Sequence, residues 1–208
     1  MNINFFEKVW KELLNEVIYN GKYTYKDDSK IKEVIGVHKQ IKNPYSNSII
    51  NISANKFAYY VKKGIFDIAE YPIKGEALFD YVTSLDDEHQ IYLDDDGFIY
   101  TYSERLQNYN DINQLDVIID RLNKNINSNR AIAVTYNPMV DMNRQDIPCL
   151  QLIQALVRDD KLILSVYFRS NDLYGAFPSN MMFLTCVCLV KTTVAIGKSN
   201  AVTTSSIA

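Results

Sequence analysis

The chain has 208 residues, of which 47% are hydrophobic and 23% charged, and its formal net charge is -3. This length and balance are typical of one domain with a sizeable core, so we expect residues 1–208 to form a single domain. The small negative charge disfavours bulk binding to nucleic acid, although a small anionic substrate needs only a few local cations.

The cysteine content and the apolar segments indicate the compartment. Three cysteines, an odd number, argue against a disulfide framework and favour a reducing environment. No signal peptide opens the chain, because Met1–Asn4 leads directly into an amphipathic pattern that contains charges. The apolar run Met181–Val190 is shorter than the roughly 20 residues that a bilayer crossing needs. We therefore expect a cytoplasmic protein with no membrane partner.

The first half of the chain predicts a helix followed by extended segments. Apolar residues at helical spacing predict a first helix, which Asn20 and Gly21 close. Glu33–Ile41 is rich in β-branched residues at its start and predicts one strand. Gly36 within this strand indicates a bulge or a close backbone approach.

Three further elements are predicted before residue 101: an extended stretch at 49–60, a helix at 76–85 and a strand-turn-strand at 91–100. The turn contains Asp94, Asp95 and Asp96 followed by Gly97. These residues fit a solvated turn better than a metal site, because glycine supplies the positive φ that such a turn requires.

The second half predicts alternating helices and strands. Asp111–Lys124 is the clearest amphipathic helix. Three strands follow, at Ala131–Tyr136, Leu150–Val157 and Leu162–Phe168. A turn at Arg158–Lys161 joins the last two, and Pro178 begins a final helix that extends to about Gly197. We expect an α+β fold, with a large mixed β-sheet flanked by helices.

The run Arg169–Asn180 combines groups that suit a nucleotide. Arg169 and Ser170 suit a phosphate, Asp172 suits the N–H donors of a heterocycle, and Asn180 can both donate and accept at a pyrimidine edge. Upstream, Cys149 is a candidate nucleophile. A free cysteine alone is most often a packing residue, but this company favours covalent chemistry on a nucleotide.

In the order and spacing of its motifs, the segment 92–208 resembles the thymidylate synthase family. The matching pieces are Asp94–Leu106, Asp111–Leu115, Asn127–Ile132, Tyr136–Pro138, Pro148-Cys149, Gln154 and Arg169–Asn180. The first part of the chain matches only weakly. The resemblance implies that Cys149 adds to C6 of a pyrimidine, so that C5 can attack the methylene carbon of a reduced folate.

The resemblance also implies roles for the other site residues. Arg169 and Ser170 would bind the nucleotide phosphate, and Asp172 would contact the pterin ring of the co-substrate. Further substrate contacts are implied for Asn180, Gln154, Tyr102 and, from the neighbouring subunit of a homodimer, Arg130. Glu76 is the candidate for the catalytic glutamate by its order along the chain, although an exposed helix-start carboxylate fits it equally well.

Asn180 indicates which pyrimidine is the substrate. Uracil presents an N3–H donor beside an O4 acceptor, whereas cytosine reverses this pattern, and one amide can pair with both uracil groups. The related deoxycytidylate hydroxymethylases have an aspartate at this position. Asn180 therefore favours deoxyuridine monophosphate (dUMP).

The resemblance thus implies a methyltransferase without a metal. It would transfer a one-carbon unit from 5,10-methylenetetrahydrofolate or a related tetrahydropterin to dUMP, giving thymidine monophosphate. A deoxynucleotide hydroxymethylase and a non-catalytic nucleotide-binding relative remain alternatives.

The sequence departs from the family pattern in three places. Asn129 replaces the first of two adjacent arginines, and Leu150 stands where a histidine usually follows the nucleophile. These changes suggest the compact archaeal-type or phage branch of the family. The chain ends at Ala208, where a His-x-Tyr pair is expected, so we interpret the sequence as lacking the family's C-terminal end.

Overall fold

The computed structural model describes residues 4–26, 28–42, 101–184 and 200–207. The elements predicted at 49–60, 76–85 and 91–100 lie outside these residues, as does Glu76. The first described segments form helix α1 (Asn4–Asn20) and strands β1 (Lys22–Lys26), β2 (Ser29–Glu33) and β3 (Val37–Lys42). The later segments form α2 (Tyr102–Gln107), α3 (Gln114–Lys124), β4 (Ile132–Val134), α4 (Pro138–Asp141), β5 (Leu150–Arg158), β6 (Lys161–Phe168), α5 (Phe177–Phe183) and β7 (Asn200–Ile207).

Five of these strands form one mixed sheet in the order β3-β7-β6-β5-β4. All neighbouring pairs are antiparallel except β6 and β7, which are parallel. Strands β1 and β2 form a separate antiparallel pair. The predicted α+β class with a mixed sheet and flanking helices is confirmed. None of the helices in the described part of the chain combines the length and the apolar character that a bilayer crossing demands.

The hairpin β5–β6 is the centre of the sheet and matches its prediction closely. Asp159 and Asp160, the two residues of its turn, have φ angles of 49° and 57°. Positive φ at both positions is typical of the type I′ turn, whose twist suits a two-residue hairpin. One face of the hairpin is buried in the core through Ile153, Ala155, Val157, Leu162, Leu164, Val166 and Phe168.

Helix α3 begins three residues later than its sequence pattern suggests. Asn110 and Asp111 have positive φ and belong to a turn, and Asn113 caps the helix by accepting the backbone N–H groups of Leu115 and Asp116. Asparagine is a favoured N-cap because its side chain satisfies N–H groups that have no partner within the helix. The buried stripe Leu115, Ile118 and Leu122 packs into the core as predicted.

The prediction of one strand over Glu33–Ile41 is wrong. The segment contains the end of β2 and most of β3, which belong to different sheets. Gly36 lies between them with φ of 75°, a conformation that glycine adopts without a steric penalty. Its role is therefore to redirect the chain between two strands and not to form a bulge within one.

Strand β4 lies at the edge of the sheet, where the side chain of Gln114 pairs with it. The Gln114 Oε1 accepts the N–H of Val134 at 2.9 Å, and its Nε2 donates to the carbonyl of Val134 at 2.7 Å. The same Nε2 donates to the carbonyl of Arg105 at 2.7 Å. One amide thus attaches the short strand to α2 and α3 and satisfies part of its open edge.

Candidate active site

Cys149 directly precedes β5, at the end of the sheet where β6 finishes. Its backbone carbonyl accepts the N–H of Arg169 at 2.9 Å, and the next pair in register is Leu150 with Phe168. The cysteine is half-buried and packs against the core. The hairpin β5–β6 therefore holds the candidate nucleophile and Arg169 opposite each other at its open end.

The guanidinium of Arg169 points back along the chain segment that leads to Cys149. Its Nε donates to the carbonyl of Pro148 at 3.2 Å, and its Nη2 donates to the carbonyl of Ile147 at 2.8 Å. These bonds occupy only part of the donor set of a guanidinium, so its other N–H groups can bind an anion. The arrangement places the positive charge against the backbone of the two residues that precede Cys149.

Tyr102 contacts the same strand end from α2. Its hydroxyl oxygen accepts the backbone N–H of Leu150 at 3.2 Å, and its ring packs against Phe183 with centroids 6.0 Å apart. The carbonyl of Leu150 accepts the hydroxyl of Thr135. The backbone N–H and carbonyl of Leu150, the residue after Cys149, are therefore both bound by side chains. The register of β5 against β6 also shifts between Leu150 and Leu152. Thr135 carried no signal in the sequence.

Asp172 closes the turn that leads into α5. Its Oδ1 accepts the N–H groups of Tyr174 at 2.9 Å and Gly175 at 3.0 Å, and its carbonyl accepts two further N–H groups. Asp172 remains exposed, and an added Cβ at Gly175 would lie 2.6 Å from its Oδ2. The indole N–H of Trp10 donates to the carbonyl of Leu173, so α1 anchors this turn. The carboxylate thus has a structural role and keeps one oxygen towards solvent or a ligand.

Asn180 lies in the first turns of α5 and is only 6% exposed. Its Nδ2 donates to the Oδ1 of Asn171 at 3.1 Å. Asn171 stands between the half-buried Ser170 and Asp172, and sequence reasoning assigned it no role. The bond between Asn171 and Asn180 therefore connects the start of α5 to the segment Arg169–Asp172.

Gln154 and Arg130 lie apart from this cluster. Gln154 is five residues beyond Cys149, roughly 15 Å along an extended strand. It lies on the sheet face opposite the core and donates to the carbonyl of Asn129 at 2.8 Å. Arg130 is exposed next to Asn129. Within one copy of the chain, neither residue joins Cys149.

A buried ion pair stabilises the start of the loop before Cys149. The Nη2 of Arg105 lies 2.8 Å from the Oδ1 of Asp141, and their side chains are 5% and 0% exposed. The Oδ2 of Asp141 accepts the N–H of Asn137 at 2.8 Å, and Arg105 also donates to the hydroxyl of Tyr109. Since these charges bind each other and further partners, the pair fixes the loop to α2.

A groove of about 350 Å³ opens between the α2–α3 connection and β4. Its apolar lining includes Tyr109, Ile112, Val117, Ile132, Val134 and Tyr136. The amide of Gln114 at its wall is bound to β4, as described above. Among the predicted site residues that the structure describes, none lines this groove, so it is separate from the Cys149 cluster.

Comparison with known proteins agrees with the motif order. The thymidylate synthase family model matches residues 8–201. Three curated relatives carry the name "Putative thymidylate synthase". The protein from Methanocaldococcus jannaschii is 39% identical over 66% of this chain and 61% of its own length. The protein from Methanosarcina mazei is 32% identical over 83% of this chain and 70% of its own length. The protein from Methanothermobacter thermautotrophicus is 29% identical over 88% of this chain and 80% of its own length. The match with the first protein thus spans less than two thirds of that relative.

Proposed function

Because the chain belongs to the thymidylate synthase family, we propose that it transfers a one-carbon unit to C5 of dUMP through a covalent adduct of Cys149. The donor in this proposal is 5,10-methylenetetrahydrofolate or a related tetrahydropterin. The observation that carries the proposal is the set of three hydrogen bonds from Arg169 to Cys149, Pro148 and Ile147. They hold a cation and a thiol at one strand end, as a nucleotide-binding nucleophile requires.

In this proposal each residue of the cluster has a defined task. The remaining guanidinium N–H groups of Arg169, with the hydroxyl of Ser170, bind the phosphate of dUMP. The Cys149 thiolate adds to C6, which places negative charge on C5 and O4 of the ring. Asn180 pairs with the N3–H and O4 of uracil. Its amide N–H stabilises the charge that develops on O4.

Tyr102 and Thr135 act on the backbone after the nucleophile. By binding both backbone groups of Leu150, they hold the adjacent Cys149 in one position. Holding a reacting group in place is a large part of enzymatic rate enhancement, and small displacements reduce the rate strongly. This positioning role stands beside the direct substrate contact that the resemblance implies for Tyr102.

Asp172 fits the pterin of the co-substrate. It is exposed, and only its Oδ1 is bound by the N–H groups of the turn. Its Oδ2 can therefore accept an N–H group of a heterocycle. When bound, the co-substrate supplies the one-carbon unit. Glu76 is the proposed catalytic carboxylate; it lies outside the described residues.

A homodimer through the outward face of the sheet is also part of the proposal. This face carries exposed apolar side chains beside the polar Gln154 and Ser165, and Ile132, Val134 and Tyr167 on it are 41%, 41% and 40% exposed. Leu156 and Ile163 lie on the same face. Covering such a face with a second copy removes apolar surface from water. In this proposal the exposed Arg130 contributes to the partner's site. A cytoplasmic location agrees with the odd number of cysteines.

The proposal is tested by tritium release from C5-labelled dUMP in the presence of a reduced pterin donor. We expect release by the wild-type protein and none above background by Cys149→Ala. Cys186→Ala is the matched control, because Cys186 lies in the apolar run Met181–Val190, where a free cysteine is most often a packing residue. Equal release by wild type and Cys149→Ala would refute the covalent role. The product mass separates methylation from hydroxymethylation, since the hydroxymethyl group has one additional oxygen.

A further inference from the structure

The Nδ2 of Asn171 is the one buried side-chain nitrogen in the described part of the chain that is unpaired. Its Nδ2 is shielded from solvent and has no hydrogen-bond partner. Its Oδ1 accepts the Nδ2 of Asn180 at 3.1 Å. Native structures rarely leave a buried donor unpaired, so a ligand acceptor or a bound water is a common explanation for such a group.

The bond between the two amides bears on base selection. A side-chain amide can pair with two neighbouring groups of a pyrimidine, one through its oxygen and one through its nitrogen. Either of these two atoms can face N3 of the ring, depending on how the amide is rotated. With Oδ1 at N3, Asn180 matches uracil; with Nδ2 at N3, it matches cytosine. The side chain of Asn180 alone is therefore ambiguous, and its neighbours decide its orientation.

We infer that Asn171 is a specificity-determining positioning residue, which orients the Asn180 amide so that the site accepts a uracil and rejects a cytosine base. Because the Oδ1 of Asn171 is an acceptor, the Nδ2 of Asn180 turns towards Asn171. The Oδ1 of Asn180 then lies on the other side of its amide. The inference rests on the proposed function, because it requires Asn180 to read the base.

The unpaired Nδ2 of Asn171 distinguishes the two orientations of the amide pair. If both amides were reversed together, one hydrogen bond would remain, but Asn180 would then match cytosine. The buried atom of Asn171 would change from a donor to an acceptor in that state. An acceptor delivered with the bound nucleotide, such as a carbonyl oxygen or a water, pairs with Nδ2 only in the uracil-reading orientation. Nucleotide binding therefore selects the orientation seen here.

Three substitutions separate this role from simple packing. Asn171→Asp retains an acceptor and removes the donor, so Asn180 must still present its nitrogen to position 171. Asn171→Ala and Asn171→Leu remove the acceptor, and leucine nearly preserves the volume. We expect the first variant to keep the preference for dUMP over deoxycytidine monophosphate (dCMP), and the other two to reduce the preference about tenfold or more.

The experiment measures the dissociation constants of dUMP and dCMP by calorimetry for the wild type and the three variants. Thermal unfolding of each variant shows whether it is folded at the titration temperature, and Asn171→Leu replaces Asn171→Ala if the latter is not. An unchanged dUMP-to-dCMP ratio in Asn171→Ala and Asn171→Leu would overturn the inference and leave the proposed function intact. If the wild type binds neither nucleotide, the proposed function and the inference both fail.

Discussion

The backbone N–H of Arg169 donates to the carbonyl of Cys149 at 2.9 Å, so the candidate phosphate ligand and the candidate nucleophile face each other across the ends of β6 and β5. The two residues are distant in sequence, and the hairpin between them has a two-residue turn. Their relative position is therefore set by a rigid element, as an active site requires.

The first prediction concerns the charge of Arg169. We expect Arg169→Gln to weaken dUMP binding at least tenfold, because the phosphate loses its charged donor, and to change the binding of deoxyuridine much less. Calorimetric titration with both ligands measures this difference. Arg158→Gln, at the far end of β5, is the matched control and should leave both affinities unchanged. An equal loss for nucleotide and nucleoside would contradict a phosphate-binding role.

The second prediction concerns the hydroxyl of Tyr102. Tyr102→Phe removes the acceptor of the Leu150 N–H, and Leu150 is fully buried. An unpaired buried donor costs about 1–3 kcal/mol of stability. We also expect kcat to fall more than the affinity for dUMP, because Cys149 loses its positioning. Tyr174→Phe, on a residue that is 62% exposed, should change neither quantity. Unaltered kcat in Tyr102→Phe would exclude the positioning role.

The third prediction concerns the ion pair of Arg105 and Asp141. Asp141→Ala leaves a buried guanidinium without its carboxylate, so the free energy of unfolding should fall by about 3–5 kcal/mol. Urea denaturation measures the change. The partly exposed pair of Lys39 and Glu12, 3.5 Å apart, is the control, and Glu12→Ala should cost no more than about 1 kcal/mol. Similar losses in the two variants would show that burial of the pair contributes little.

The fourth prediction concerns Gly175. In Gly175→Ala the new Cβ meets the Oδ2 of Asp172, so the carboxylate must move away from its present position. We expect a higher KM for the pterin and an unchanged affinity for dUMP. Gly36→Ala is the control, since its φ of 75° should cost about 1–2 kcal/mol of stability without affecting either ligand. A selective loss of dUMP affinity in Gly175→Ala would contradict the assignment of Asp172 to the pterin.

The fifth prediction concerns the outward face of the sheet. Tyr167→Asp and Ile163→Asp place a charge on this face and should shift the protein from dimer to monomer in sedimentation experiments. Tyr23→Asp, on a residue that is 66% exposed in the β1–β2 hairpin, should not change the sedimentation coefficient. A dimer that tolerates both charges would place the interface elsewhere.

Local patterns were sufficient to predict the elements on which the site is built. The apolar alternation of β5 and β6 with the Asp159-Asp160 turn identifies the hairpin, and the amphipathic pattern through Leu115 identifies α3, although its start lies three residues later. The strand Glu33–Ile41 was misread because a change of sheet leaves no mark on hydrophobic periodicity.

The supporting contacts of the site could not be predicted in this way. Asp141 binds Arg105 across 36 positions, Thr135 binds the Leu150 carbonyl across 15, and Asn171 binds Asn180 through an ordinary-looking pair of amides. Such bonds depend on tertiary packing, and the residue types alone fit a solvated loop equally well. Gln154 shows the converse, since its position in a motif does not bring it near Cys149 within one copy.

A crystal structure of the protein with dUMP bound would show whether Cys149 reacts with the nucleotide. We expect the phosphate on Arg169 and Ser170, the uracil edge on Asn180, and C6 bonded to the Cys149 sulfur or within about 3–3.5 Å of it. A nucleotide bound in the groove beside β4, or one whose C6 lies far from Cys149, would refute the proposed covalent role of Cys149.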